Sequence, residues 1–241
     1  MMPRAPDALD ICALPSNHPM QITDTRTARF NMIEQQIRPW NVLEGDILDA
    51  LSVVRREDFV PEAHRALAFA DMELPIGCGE HMLAPRVEAR ILQDLHIEPT
   101  DSVLEIGTGS GYMAALLGHR AHHVISLEIV PALADAAHHR LREAGVRNVE
   151  VRIADGAAPG EGVEGGPFDV IVLSGSVAQI PTALLQQLRV GGRLAAIVGD
   201  LPVMRATFVR RNSGKDFTTT QPWDTVAPRL HGFAELPRFH F

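Results

Sequence analysis

Hydrophobic and polar positions divide the chain into two textures. From Asp24 to Leu51 the apolar residues Phe30, Ile33 and Ile37, then Ile47, Leu48 and Leu51, recur at spacings of three and four. That spacing predicts helix, interrupted at Arg38-Pro39-Trp40-Asn41. The stretch Val53 to Ala63 closes this region, with Pro61 as its stop. Ala70 to Pro85 shows no period and reads as a loop, and Val87 to Leu95 is helical again. After Pro99 short apolar runs alternate with helical segments. Strands are expected at Ser102 to Ile106, His123 to Leu127, Val149 to Ile153, Phe168 to Leu173 and Gly192 to Val198. Helices are expected at Tyr112 to Gly118, Pro131 to Ala144 and Pro181 to Leu188. Such alternation implies right-handed crossovers and a doubly wound, mostly parallel sheet. The tail, Val203 to Phe241, reads as antiparallel strands that finish the sheet. Three regions follow: a flexible arm over residues 1–25, a helical extension with a loop over 26–98, and an α/β domain over 99–241.

At the end of the first strand of the α/β domain stands V-L-E-I-G-T-G-S-G-Y, Val103 to Tyr112. Gly107, Gly109 and Gly111 let the chain turn tightly and bring backbone N–H groups close to a ligand. The spacing is not the G-x-G-x-x-G of dinucleotide sites. The acid Glu105 ahead of the glycines would repel a pyrophosphate but suits an ammonium or a water network. S-adenosylmethionine carries an amino group and a carboxylate and no phosphate, so the turn reads as its cradle. Glu128 ends the second strand, where α/β folds place a carboxylate to accept from ribose hydroxyls. Asp155 and Gly156 follow the third strand and are placed to meet the adenine. The expected cofactor set is Glu105, Ile106, Gly107, Thr108, Gly109, Ser110 and Gly111 from the turn, Glu128 and Ile129, and Asp155 and Gly156.

Composition narrows the picture. Of the 241 residues, 46% are hydrophobic and 22% charged, with a formal net charge of -8. That balance supports a packed core and argues against a non-specific nucleic-acid binder. No apolar run reaches the roughly 18 residues of a membrane span, and Met1 to Asn17 has no secretion-signal pattern. Cys12 and Cys78 are too few for a disulfide framework or a zinc cluster, which favours a reducing, cytoplasmic setting. The histidines His119, His122, His123, His138 and His139 show no H-E-x-x-H spacing, so no metal is expected.

The blocks R-R-E-D-F-V-P, D-M-E-L-P-I-G-C-G-E-H-M-L-A-P, V-L-E-I-G-T-G-S-G-Y and P-F-D-V-I-V-L-S-G-S-V-A-Q-I-P-T-A-L-L-Q-Q-L-R-V-G-G-R-L resemble, in that order, the protein-L-isoaspartate O-methyltransferase family. The resemblance covers nearly everything after the arm. It implies a seven-stranded Rossmann-like methyltransferase sheet, S-adenosylmethionine as cofactor, and methyl transfer to isoaspartyl carboxylates of damaged proteins. A carboxylate with a pKa near 4 is already ionised at neutral pH and needs no general base. The fourth strand ends in Leu173-Ser174-Gly175-Ser176 and lacks the [DN]-P-P-[YF] motif of amine methyltransferases. One departure stands out. Where the family continues Q-T-I-S after P-I-G-x-G, this chain has Glu80-His81-Met82-Leu83. His81, Leu83 and Ser174 are therefore the candidates for the methyl-transfer end, with His81 a substitute donor. The changed loop also leaves open a small-metabolite acceptor, or a cofactor-binding protein with a decayed acceptor site.

Overall fold

The structure is a computed structural model that describes residues 25–158 and 165–235; the arm expected before residue 25 lies almost wholly outside these. A seven-stranded sheet runs in the order β5-β4-β3-β6-β7-β8-β9. Its strands are β3 (Ser102–Ile106), β4 (His123–Glu128), β5 (Val149–Ile153), β6 (Phe168–Val177), β7 (Leu188–Asp200), β8 (Val203–Arg211) and β9 (Phe217–Thr225). β3 through β7 pair in parallel, and β8 and β9 complete the sheet antiparallel. The doubly wound fold expected from the pattern is thus the observed one, with β6 and β7 longer than their apolar runs.

Residues of the central strands go alternately to two cores, as the two-residue period of a strand requires. Val103, Val124, Val170 and Val172 pack on one face with the N-terminal helices, α3 (Pro85–Leu95) and α4 (Tyr112–Arg120). Leu104, Ile106, Ile125, Leu127, Ile171 and Leu173 pack on the other, with Leu184 of α6 (Thr182–Gln186). α5 (Pro131–Glu143) starts on a proline, whose missing N–H costs nothing at a first helical position.

The helical extension differs from its expected outline. α1 (Thr25–Met32) runs into a π-turn at Ile33–Ile37 and a 3-10 turn at Arg38–Trp40, and α2 (Gly45–Val53) follows. Pro61 is not a stop: it precedes the 3-10 turn Glu62–Leu67. The segment read as a loop contains a hairpin, β1 (Leu74–Gly77) and β2 (Glu80–Met82). Cys78 at its tip has a φ of 54° and is disulfide-bonded, so it is not the reduced thiol expected from the cysteine count. The other cysteine, Cys12, lies outside the described residues. Among the described residues no helix is long and apolar enough to cross a membrane, and no group of His, Cys, Asp and Glu could hold a metal ion.

The tail also departs from expectation. After β9 the chain leaves the sheet edge and returns across the carboxyl ends of the parallel strands. Ser176 of β6 donates its N–H to the Pro228 carbonyl at 2.7 Å and accepts from the Leu230 N–H at 2.9 Å. Tight hydrogen bonding to a central strand, not to β9, places residues 228–233 over the sheet's carboxyl edge.

Candidate functional site

Ligands of open α/β sheets bind at the carboxyl ends of the strands, where the strand order reverses. Here that point lies between β3 and β6, from which the chain winds outward in opposite directions. A cleft sits there with about 580 Å³ of non-atom space, the open solvent at its mouth included. Its walls are the glycine turn, the ends of β4 to β6, the β1–β2 hairpin and residues 228–233.

The glycine turn is built as its sequence demands. Gly107, Gly109 and Gly111 have φ of 93°, 52° and 86°, the left-handed region open to glycine. The Gly107 N–H donates to the Leu127 carbonyl at 2.8 Å, which ties the turn to β4. A Cβ at Gly111 would stand 3.2 Å from that of Ala137, so this glycine lets α5 approach. A Cβ at Gly107 would lie 2.7 Å from Leu230 Cδ2, against the C-terminal segment.

Glu128 is held from two sides. Its Oε2 accepts the Gly109 N–H at 2.8 Å and its Oε1 the Val130 N–H at 3.0 Å. A carboxylate oxygen takes more than one donor, so both keep capacity toward the cleft. Asp155 accepts the Ala157 N–H at 2.9 Å through Oδ1. A Cβ at Gly156 would meet Ile106 Cγ2 at 2.4 Å, so the floor there is closed to any larger residue. Ile106, Gly107, Gly109, Glu128, Ile129, Asp155 and Gly156 all line the cleft.

Glu105 plays a different part. It does not line the cleft; it is fully buried beneath it. It accepts from Ser126 Oγ at 2.6 Å and Ser174 Oγ at 2.7 Å. Burial pushes its carboxyl up to about 8, against these two hydrogen bonds. Thr108 Oγ1 lies 2.6 Å from Ser126 Oγ, and Ser110 Oγ accepts the Tyr112 N–H at 3.2 Å. Thr108, Ser110 and Gly111 therefore hold the turn from behind and do not line the cleft.

The methyl-transfer candidates separate. His81 and Ser174 line the cleft, His81 exposed and Ser174 with its hydroxyl given to Glu105. Burial raises the neighbouring Glu73 carboxyl, and the charge of His81 lowers it. Leu83 is not at the site. β2 ends at Met82, and the Leu83 side chain is buried in the core against the N-terminal helices. Its carbonyl accepts from Arg56 Nη2 at 2.7 Å. Arg56 is fully buried, pairs with Glu88 at 2.5 Å, and lies 5.1 Å from the centre of the Tyr112 ring. Burial nevertheless takes the Glu88 carboxyl up to about 7.

Among the lining residues that sequence reasoning missed, Pro228, Arg229, Leu230, His231 and Phe233 form one wall from a single segment. Arg229 pairs with Asp200 and, at 3.1 Å, with Glu235. His231 Nε2 stands 2.7 Å from Glu80 Oε1. The only local signals were Pro228 and Gly232, which break a strand pattern; Gly232 has a φ of 82°.

Doubly wound sheet, glycine turn and acids at successive strand ends together define a methyltransferase of the S-adenosylmethionine-dependent class. The family model described as "Protein-L-isoaspartate(D-aspartate) O-methyltransferase (PCMT)" matches residues 27–223. The chain belongs to that family. It is 43% identical over 168 residues to a protein-L-isoaspartate O-methyltransferase of Protochlamydia amoebophila, covering 70% of this chain and 79% of that one. It is 38% identical over 188 residues to that of Koribacter versatilis, covering 78% and 83%. Among solved structures, a candidate protein-L-isoaspartate O-methyltransferase of Plasmodium falciparum in complex with S-adenosyl-L-homocysteine superposes with a TM-score of 0.74. It is 18% identical, over 87% of this chain and 99% of that one. A second protein-L-isoaspartate O-methyltransferase gives 0.71 at 21% identity, over 86% and 66%. At these identities the superpositions speak for the fold alone.

Proposed function

We propose that the protein transfers the methyl group of S-adenosylmethionine to the free carboxylate of L-isoaspartyl residues in damaged proteins. The observation that carries this reading is the family match, which spans the extension, the hairpin, the glycine turn and the sheet through β9. The residues present fit the cofactor. Glu128 offers carboxylate oxygens to hydroxyl groups and Asp155 offers one to an amino group, while Gly107, Gly109 and Gly156, packed against Leu230, Ile76 and Ile106, bring their backbone to the cleft wall.

When bound, the cofactor supplies an electrophilic methyl on a sulfonium sulfur, which leaves with the bonding electron pair. Everything else falls to the chain. The acceptor is an ionised carboxylate and brings its own nucleophile, so the site needs alignment and dryness more than a base. Glu128 and Asp155 anchor one end of the cleft. Ser174 and the hairpin, with Ile76 and His81, frame the other. Glu105 sits below the junction, and its two serine donors fix Ser174 and the floor between β4 and β6. His81 is the exposed donor beside the opening, in the place of a family hydroxyl, and can meet the incoming carboxylate.

Incubating the protein with an isoaspartyl peptide and labelled methyl donor is expected to give a base-labile methyl ester. Absence of ester from a protein shown to bind S-adenosylhomocysteine would overturn the assignment of the acceptor.

A further inference from the structure

Glu80 poses a problem for a carboxylate acceptor. It occupies a family Q position, lines the cleft beside His81, and is about one quarter exposed. Two carboxylates within about 4–6 Å repel, and in a partly solvated site that lowers affinity roughly fivefold or more. The structure places a partner on it from the far end of the chain. His231 of the C-terminal segment stands 2.7 Å away, its Nε2–H donating to Glu80 Oε1. A carboxylate has no proton of its own to give, so the imidazole is the donor.

We propose that His231 is a positioning residue for the acceptor: it masks Glu80 and so admits a second carboxylate to the cleft mouth. The proposal rests on the acceptor assignment above. The pair is not needed to hold the segment in place. Ser176 bonds Pro228 and Leu230 through the backbone, and Arg229 is tied to Asp200, the Gly199 carbonyl and Glu235. Leu230 also fills the space over Gly107 and Gly175. Removing His231 leaves all of these and uncovers the Glu80 charge. A clasp would make the two residues equivalent; masking makes them opposite.

The test is steady-state kinetics of the full chain with an isoaspartyl peptide at saturating methyl donor, with the S-adenosylhomocysteine Kd measured in parallel. His231→Ala is expected to raise the peptide KM about five- to tenfold, with kcat and the S-adenosylhomocysteine Kd within about twofold. Added salt shrinks the penalty. Glu80→Gln keeps KM at or below the wild-type value, and the double variant Glu80→Gln/His231→Ala returns to it. His231→Gln, which keeps an N–H donor on a shorter and more flexible side chain, falls between. Equal penalties for both single variants, or a parallel loss of S-adenosylhomocysteine binding, overturn masking in favour of a clasp. Absence of ester from the wild-type protein overturns the acceptor assignment, and masking with it.

Discussion

Glu128 offers the most direct test of the cofactor cradle, because its carboxylate faces two ways. Toward the protein it accepts the Gly109 and Val130 N–H groups at 2.8 and 3.0 Å. Toward the cleft each oxygen has a lone pair left. Hydrogen bonds to a charged acceptor contribute about 1.5–3 kcal/mol each. Two ribose hydroxyls bound this way would together give about 3–6 kcal/mol if they were independent. They share one side chain, and such terms do not add in full, so the lower half of that range applies. Glu128→Ala should then weaken S-adenosylhomocysteine binding about 10²- to 10³-fold by calorimetry. Part of any loss could arise through the glycine turn, since Gly109 loses its acceptor. Deoxyribose analogues separate the two routes. Against the wild-type protein, the 2′-deoxy compound is expected to bind roughly tenfold more weakly than the parent; against Glu128→Ala the two should bind alike. A Kd for Glu128→Ala within about threefold of wild type, in a protein with an unchanged melting curve, would refute the role given to this acid. A tenfold deoxy effect that persists in the variant would move the role to the turn.

Three further expectations concern the frame around the cleft. Glu105 has its carboxyl raised from 4.5 to about 8 by burial. The folded state therefore holds a proton that the unfolded state releases, and stability falls as pH rises between those values. Glu105→Gln removes that loss, so its urea midpoint should change less than the wild-type midpoint from pH 5 to pH 8.5; parallel curves would rule out Glu105 as the source. Arg56→Ala strands Glu88 and the Leu83 carbonyl in the core and should cost about 3–5 kcal/mol, lowering Tm by about 6–20 °C. Arg56→Met with Glu88→Leu should cost clearly less, and an equal loss would contradict the charge argument. At Gly175 an added Cβ would meet Leu230 Cγ at 2.8 Å and the Pro228 carbonyl at 3.0 Å. Gly175→Ala should displace the C-terminal segment and weaken both peptide turnover and S-adenosylhomocysteine binding at least tenfold. Leu230→Ala should rescue it only in part, because the carbonyl remains.

What the sequence made legible follows from where each energy comes from. β3 and β4 read correctly to within a residue because parallel strands covered on both faces appear as apolar runs; β5, at the sheet edge, read correctly from the alternation of Val149, Val151 and Ile153 with Glu150 and Arg152. Glu105 stood out as an acid inside such a run, and Gly107, Gly109 and Gly111 because only glycine adopts their φ at no cost. The β1–β2 hairpin was hidden. Its strands have four and three residues, with Pro75 inside the first and a left-handed Cys78 between them. It is held by docking, Ile76 against the space over Gly109, and not by local propensity. Leu83 was misplaced for the same reason: with β2 ending at Met82, its side chain turns into the core, a turn that the loop reading could not show. The C-terminal wall depends on contacts between Leu230 and Gly107 and between Gly232 and Asp155, which no window along the chain contains. The Glu80 departure shows the consequence most clearly. In the sequence it is an acid replacing a polar group near a site for an acid. In the fold it has His231 at 2.7 Å, so the charge an acceptor meets belongs to a pair assembled from both ends of the molecule. The substitution at 80 can therefore be read only together with the residue at 231, and the specificity of the mouth is a property of the hairpin and the C-terminal segment jointly.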